Sequence, residues 1–248
     1  MEQARKIQIP TSQVLFLGKY ESFHYMAETY ILGINGLDSN FSDEIWFQVG
    51  RLAKKFHSIP VSGFGLELSD EHRGIFRNPF QATLEEQVFY NSSCLKKDDI
   101  LISLGAYEEN NIPIIRSIFD YIIQSNYRIG LNHGDLSRKN TIIDNDMRVS
   151  LIDYGCAIAH IVPFYDFAYI LGETVKGREP DISMLKHFAN GYGISLKIID
   201  DMKKDIFAVM LLTIFDKVRW CFAHNDKDAG YYAQFANKVL KETTQYFG

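Results

Sequence analysis

The sequence predicts an α+β protein, a small β-rich start followed by a predominantly helical body, and three observations carry that reading. VLFLGKY and FHYMAETYIL are short runs rich in β-branched and aromatic residues, separated by Glu21 and Ser22 in the manner of a hairpin. Near residue 40 the texture changes, and apolar positions begin to recur at helical spacing. One polar stretch, LNHGDLSRKNTIIDNDMRVSLIDYG from Leu131 to Gly155, then interrupts the helical body.

The elements follow in order. Ser42 can cap a helix whose first turn carries Asp43 and Glu44, favourable at the positive end of the helix dipole. Ile45, Val49, Leu52, Ala53 and Phe56 form its apolar face, and Pro60 marks its exit. Val61 to Asn111 is mixed in composition and reads as loops with helices around Leu84 to Tyr90 and Ile100 to Leu104. Pro113 suits the first turn of a further helix with Ile114, Ile115, Ile118, Phe119 and Ile122 on one face. Thr141 to Ile143 and Val149 to Ile152 read as two short strands joined by a turn of Asp144, Asn145 and Asp146. From Phe164 onward the pattern is helical again, with long periodic segments at Ile198 to Ala223 and Tyr231 to Tyr246.

Composition bounds the function. A chain of 248 residues is long enough for a sizeable core, and its net charge of -5 argues against a general nucleic-acid or membrane-surface binder. MEQARKIQIP lacks the apolar stretch of a signal peptide, so the expected compartment is the cytoplasm. Cys94, Cys156 and Cys221 form an odd count without C-x-x-C spacing, which fits reduced and mostly buried thiols better than disulfides or a zinc site.

The polar stretch has a specific grammar. His133, Gly134 and Asp135 are followed five residues after the aspartate by Asn140, and thirteen residues later by Asp153, Tyr154 and Gly155. The spacing is similar to the H-R-D-L-x-x-x-N and D-F-G of protein kinases, where one carboxylate orients or deprotonates an acceptor hydroxyl and an amide with a second carboxylate holds magnesium, a hard cation that takes oxygen ligands. A loop followed by a short hairpin can return the second aspartate to the first.

HGDLSRKN followed by LIDYG resembles the aminoglycoside phosphotransferase family, small-molecule kinases of the protein-kinase-like fold. FHYMAETYILGING, AKKFHSIPVSGFG and YDFAYIL resemble further stretches of that family, so the likeness runs from about Ile9 to Leu171. It implies a two-lobed fold with a truncated β-rich N-lobe and hinge over residues 1–36 and a mostly helical C-lobe over 37–248. It also implies ATP and magnesium as cofactors, a small-molecule hydroxyl acceptor as partner, and neither nucleic acid nor membrane. Under the resemblance Asp135 is the catalytic base or orienting carboxylate and His133 braces its loop. Asn140 and Asp153 bind magnesium, Glu28, Thr29 and Tyr30 lie in the hinge that meets the adenine, and Asp166 is structural. Only ten residues separate Gly155 from Asp166, too few for a phosphorylatable activation loop, which favours a small-molecule acceptor. The departure is at the N-terminus, where no glycine-bearing phosphate loop or strand lysine fits before Ile9. A ligand-binding pseudokinase therefore stands as the alternative.

Other residues have plainer readings. His57 is expected to act as a helix C-terminal residue in the dipole, and Cys156 as a small buried residue. Arg138 and Lys139 either approach the γ-phosphate or lie on a solvated face. Tyr25, Met26 and Tyr30 either line an adenine pocket or pack between lobes. The acceptor stays open: acidic and basic residues nearly balance after Ile182, with Asp216, Asp226 and Asp228 as carboxylates that could meet a polycation.

Overall fold

The structure is a computed structural model that describes residues 1–61, 63–65 and 83–248. The first hairpin is present as β1 (Val14–Tyr20) and β2 (Phe23–Glu28), antiparallel from Tyr20 opposite Phe23, after a short α1 (Glu2–Lys6). Glu21 turns the chain with a left-handed φ of 53°. This ribbon pairs with no other strand among the described residues, and its apolar side chains stand open: Leu17 is 74% exposed and Phe23 70%. Tyr25 and Met26 are exposed as well, so neither is packed between lobes here.

After Glu28 the chain runs to β3 (Ile34–Asn35), which pairs with β5 (Thr141–Ile143), itself paired with β6 (Val149–Leu151). The connection from the ribbon is thus sewn to the hairpin that carries the polar motif. A second small sheet joins β4 (Ile129–Asn132) to β7 (Ile158–Ile161), with Asn132 opposite Ile158. Both small sheets were only partly legible, since their two- to four-residue strands carry little periodicity.

The helical body comprises α2 (Ser42–His57), α3 (Leu84–Cys94), α4 (Ile100–Ser103), α5 (Ile112–Gln124), α6 (Phe164–Val175), α7 (Ile182–Tyr192), α8 (Leu196–Asp201), α9 (Lys203–Ala223) and α10 (Ala229–Thr244). Ser42 proves to be the first helical residue and not the cap, and no side chain caps that end. Thr83, Asp99, Asp181 and Ser195 do cap α3, α4, α7 and α8, each accepting a bond from a backbone N–H of the first turn. The periodic segment predicted from Ile198 is broken at Met202 into α8 and α9. Helix α9 is buried along most of its length and forms the axis of the core with α5, α6 and α10. Helix α2 lies so close to α7 that a Cβ at Gly50 would fall 2.0 Å from the carbonyl oxygen of Phe188. Trp46 meets Phe188 edge to face in the same contact.

Candidate functional site

Strand pairing brings the motif together. Strand β4 delivers His133, Gly134 and Asp135; the loop ends in a single 3₁₀ turn at Arg138–Asn140 and continues into β5. The N–H of Ile152 donates to the carbonyl of Asn140 at 3.0 Å, which sets Asp153 one residue beyond the point where the two segments meet. The chain then re-enters through β7 against β4, so Asp153 leaves one small sheet and returns to the other at the mouth of the loop.

Asp135 is held by three donors. Asn140 Nδ2 donates to its Oδ2 at 2.9 Å and to its backbone carbonyl at 2.8 Å. Lys139 Nζ also lies 2.9 Å from Oδ2, and the Tyr169 hydroxyl from α6 donates to Oδ1. The hydrogen bond to Asp135 raises the Lys139 ammonium above its ordinary pKa, and burial followed by the bond to Asp135 raises the Tyr169 phenol, so both remain protonated donors at neutral pH. Asp153 is exposed, its backbone in the left-handed region at φ 59°, and its only hydrogen bond among the described residues is a long 3.4 Å one from the N–H of Gly155. Its carboxylate is therefore available, as is Asn140 Oδ1, which has no protein partner among the described residues.

The loop is braced from below. Asp166 is fully buried on α6 and accepts from the backbone N–H of His133 at 2.9 Å and of Gly134 at 2.8 Å, and it bonds His57 Nε2 at 2.9 Å. Burial alone would raise its pKa, but the His57 hydrogen bond, the nearby histidines and the His133 N–H outweigh it and hold the carboxyl below its usual range. His133 is buried with its ring near Phe56 and Tyr154, and its Nε2 meets the carbonyl of Ile152 at 3.2 Å. Burial lowers its pKa, so the neutral ring donates to that carbonyl and ties the Asp135 loop to the strand before Asp153. Gly134 has φ +80°, and a Cβ there would fall 2.1 Å from the carbonyl oxygen of Cys156. No other residue fits that crossing without moving the turn at Tyr154–Cys156.

Several expectations are corrected here. His57 ends α2, but it is buried and acts as the imidazole partner of Asp166, its Nδ1 meeting Tyr192 Oη at 3.0 Å. Cys156 is exposed, not buried. Arg138 faces neither phosphate nor solvent: Glu179 grips its guanidinium at 2.7 and 2.8 Å, and the Ser39 carbonyl accepts a third bond at 3.1 Å. Asp216 cannot meet an acceptor, since it is buried and accepts from Gln87 at 2.5 Å and Asn91 at 2.7 Å. Of the residues expected in the hinge, the Glu28 carboxylate is taken by the Ser12 hydroxyl, the Thr29 N–H donates to Gln13 O at 2.9 Å, and Tyr30 is 83% exposed. Ser62 of the stretch AKKFHSIPVSGFG lies outside the described residues. Tyr169 was not singled out from sequence; its signal was its place three residues after Asp166, on the same side of α6.

The chemistry of the donor set fits magnesium. Asn140 and Asp153 supply one amide oxygen and one carboxylate. Among the described residues no three histidine, cysteine or acidic side chains converge as a self-sufficient metal cage. That arrangement suits a hard cation carried largely by substrate phosphates and water.

Comparisons with known proteins agree with this geometry. The model of the phosphotransferase enzyme family matches residues 1–204. No curated protein sequence matches the chain. Among solved structures, the chain is similar to an ethanolamine kinase of Plasmodium vivax with a TM-score of 0.62 at 14% identity, covering 96% of this chain and 70% of that one. A choline kinase from Streptococcus pneumoniae superposes with a TM-score of 0.60 at 15% identity, over 97% and 78% of the two chains. A spectinomycin phosphotransferase in complex with ADP and spectinomycin gives 0.56 at 14%, over 98% and 80%. These likenesses establish the protein-kinase-like fold.

Proposed function

The chain belongs to the phosphotransferase enzyme family, and from that premise we propose that it moves the γ-phosphoryl group of magnesium-bound ATP to a hydroxyl of a small molecule. The observation that carries the reading is the convergence of Asp135, Asn140 and Asp153 through the β4–β7 and β5–β6 pairings, with Asp135 held by Asn140 and its loop braced on Asp166. Nucleotide-bound neighbours of the same fold support the donor.

In this reading Asp135 orients the acceptor hydroxyl. The acceptor oxygen forms its bond to the γ-phosphorus as the bond from phosphorus to the β–γ bridging oxygen breaks; ADP leaves with that electron pair, and the hydroxyl proton passes to Asp135. Asn140 and Asp153 would hold magnesium, which would supply charge neutralisation on the nucleotide phosphates. Glu28, Thr29 and Tyr30 lie in the hinge that meets the adenine. The His57–Asp166–His133 brace keeps Asp135 in place, and in phosphoryl transfer positioning of this kind is a large part of the catalysis.

The test is ADP release from Mg-ATP with spectinomycin, ethanolamine and choline in turn, comparing the wild type with Asp135→Asn. Acceptor-dependent release that falls at least a hundredfold in the variant is expected for loss of a positioned general base. Full turnover in Asp135→Asn would remove Asp135 from the mechanism.

A further inference from the structure

An ionised carboxylate offers about four lone-pair directions. In Asp135 three are in use: Asn140 Nδ2 and Lys139 Nζ both meet Oδ2, and Tyr169 Oη meets Oδ1. One direction is left, and it lies on Oδ1, beside the tyrosine hydroxyl. Asp135 is half-buried and Lys139 exposed, so the lysine is free to swing away when phosphates arrive, whereas Tyr169 is fixed on α6. Another carboxylate on the same helix is engaged elsewhere. Glu173, one helical turn further on, is occupied by Lys176 at 2.7 Å and Arg178 at 3.3 Å.

We infer that Tyr169 is a positioning residue: its hydroxyl fixes the Asp135 carboxylate so that the single unused lone pair, on Oδ1, receives the proton of the acceptor hydroxyl. The inference rests on the phosphotransferase reading above. It separates two jobs on one carboxylate. Oδ2 faces the asparagine and lysine on the side of the phosphates, and Oδ1 faces the tyrosine and the acceptor. A geometric consequence is that the acceptor must bring its reacting hydroxyl past the Tyr169 ring, so α6 forms one wall of the acceptor site.

The experiment compares wild type, Tyr169→Phe, Asp135→Asn and the double variant, using Mg-ATP with whichever of spectinomycin, ethanolamine or choline is phosphorylated. Tyr169→Phe keeps the ring and removes only the hydroxyl. Its kcat should fall roughly ten- to a hundredfold, while KM for ATP and for the acceptor stay within about threefold and the calorimetric Kd for Mg-ATP is unchanged. In the Asp135→Asn background the same substitution should cost nothing further, because the tyrosine acts through the aspartate. A kcat within twofold of wild type, or an equal loss in both backgrounds, overturns the inference and leaves the phosphotransferase reading standing. A wild type that binds Mg-ATP but phosphorylates none of the three and releases no ADP to water overturns both.

Discussion

Replacing Asp166 by alanine should destabilise the protein more than any change at Asp135. The carboxylate is 0% exposed and accepts three bonds: from His57 Nε2 at 2.9 Å, His133 N at 2.9 Å and Gly134 N at 2.8 Å. Alanine leaves two backbone N–H groups and an imidazole nitrogen buried without partners. Each orphaned buried donor costs about 1–3 kcal/mol, and some relaxation or water entry is to be expected, so the loss should be about 3–5 kcal/mol. With a urea m-value of about 3 kcal/mol/M, suited to a chain of this size, that is a midpoint shift of roughly 1–1.7 M. Urea denaturation followed by far-ultraviolet circular dichroism measures it. The sign with pH is also fixed. Because the folded carboxyl is held below its usual range, the contribution is present at neutral pH and is lost as pH falls through that lowered value. A midpoint shift under about 0.3 M, or a loss that grows towards high pH, would refute the claim that Asp166 carries the loop.

Three further outcomes follow from the same structure. Asp216 is the opposite case: burial raises its pKa to about 6, against which the bonds from Asn91 and Gln87 work only in part. Its stabilising effect is complete below the ordinary carboxylate pKa and declines as pH rises through about 6, so denaturation midpoints should fall between pH 4 and 7, and Asp216→Asn should flatten that slope whatever its absolute stability. Gly134→Ala should lower transfer at least a hundredfold, since a Cβ 2.1 Å from the Cys156 carbonyl forces the loop aside and small misplacements at this scale are known to cost that much; unchanged turnover in that variant would contradict the crossing described. The open ribbon β1–β2 should bind an apolar dye, and Leu17→Ser with Phe23→Ser should reduce the fluorescence severalfold, because those side chains are 74% and 70% exposed.

Legibility divided along physical lines. Helix α5 could be read from Ile115, Ile118, Phe119 and Ile122, all buried, because a four-turn amphipathic pattern is hard to mistake. The motif residues stood out because magnesium and phosphate chemistry would restrict residue type and spacing, and the fold brings the segments that carry Asp135, Asn140 and Asp153 together. What escaped was set by tertiary contact. His57 looked like a dipole residue, yet its partner lies 109 positions away on α6. Asp216 looked like an exposed acid because nothing local announces Gln87 and Asn91. Arg138 could be placed on a phosphate or in water from sequence, and its actual partner Glu179 sits beyond α6. Tyr169 shared a helix side with Asp166, but only the fold shows that this side faces Asp135.

The central claim is that Asn140 and Asp153 form a working magnesium-nucleotide site beside Asp135. Calorimetric titration of the purified chain with Mg-ATP, repeated without magnesium and with Asp153→Ala, tests it most directly. The account predicts saturable binding that requires magnesium and weakens at least tenfold in the variant. Absence of binding at millimolar nucleotide, or binding indifferent to both magnesium and Asp153, would contradict it.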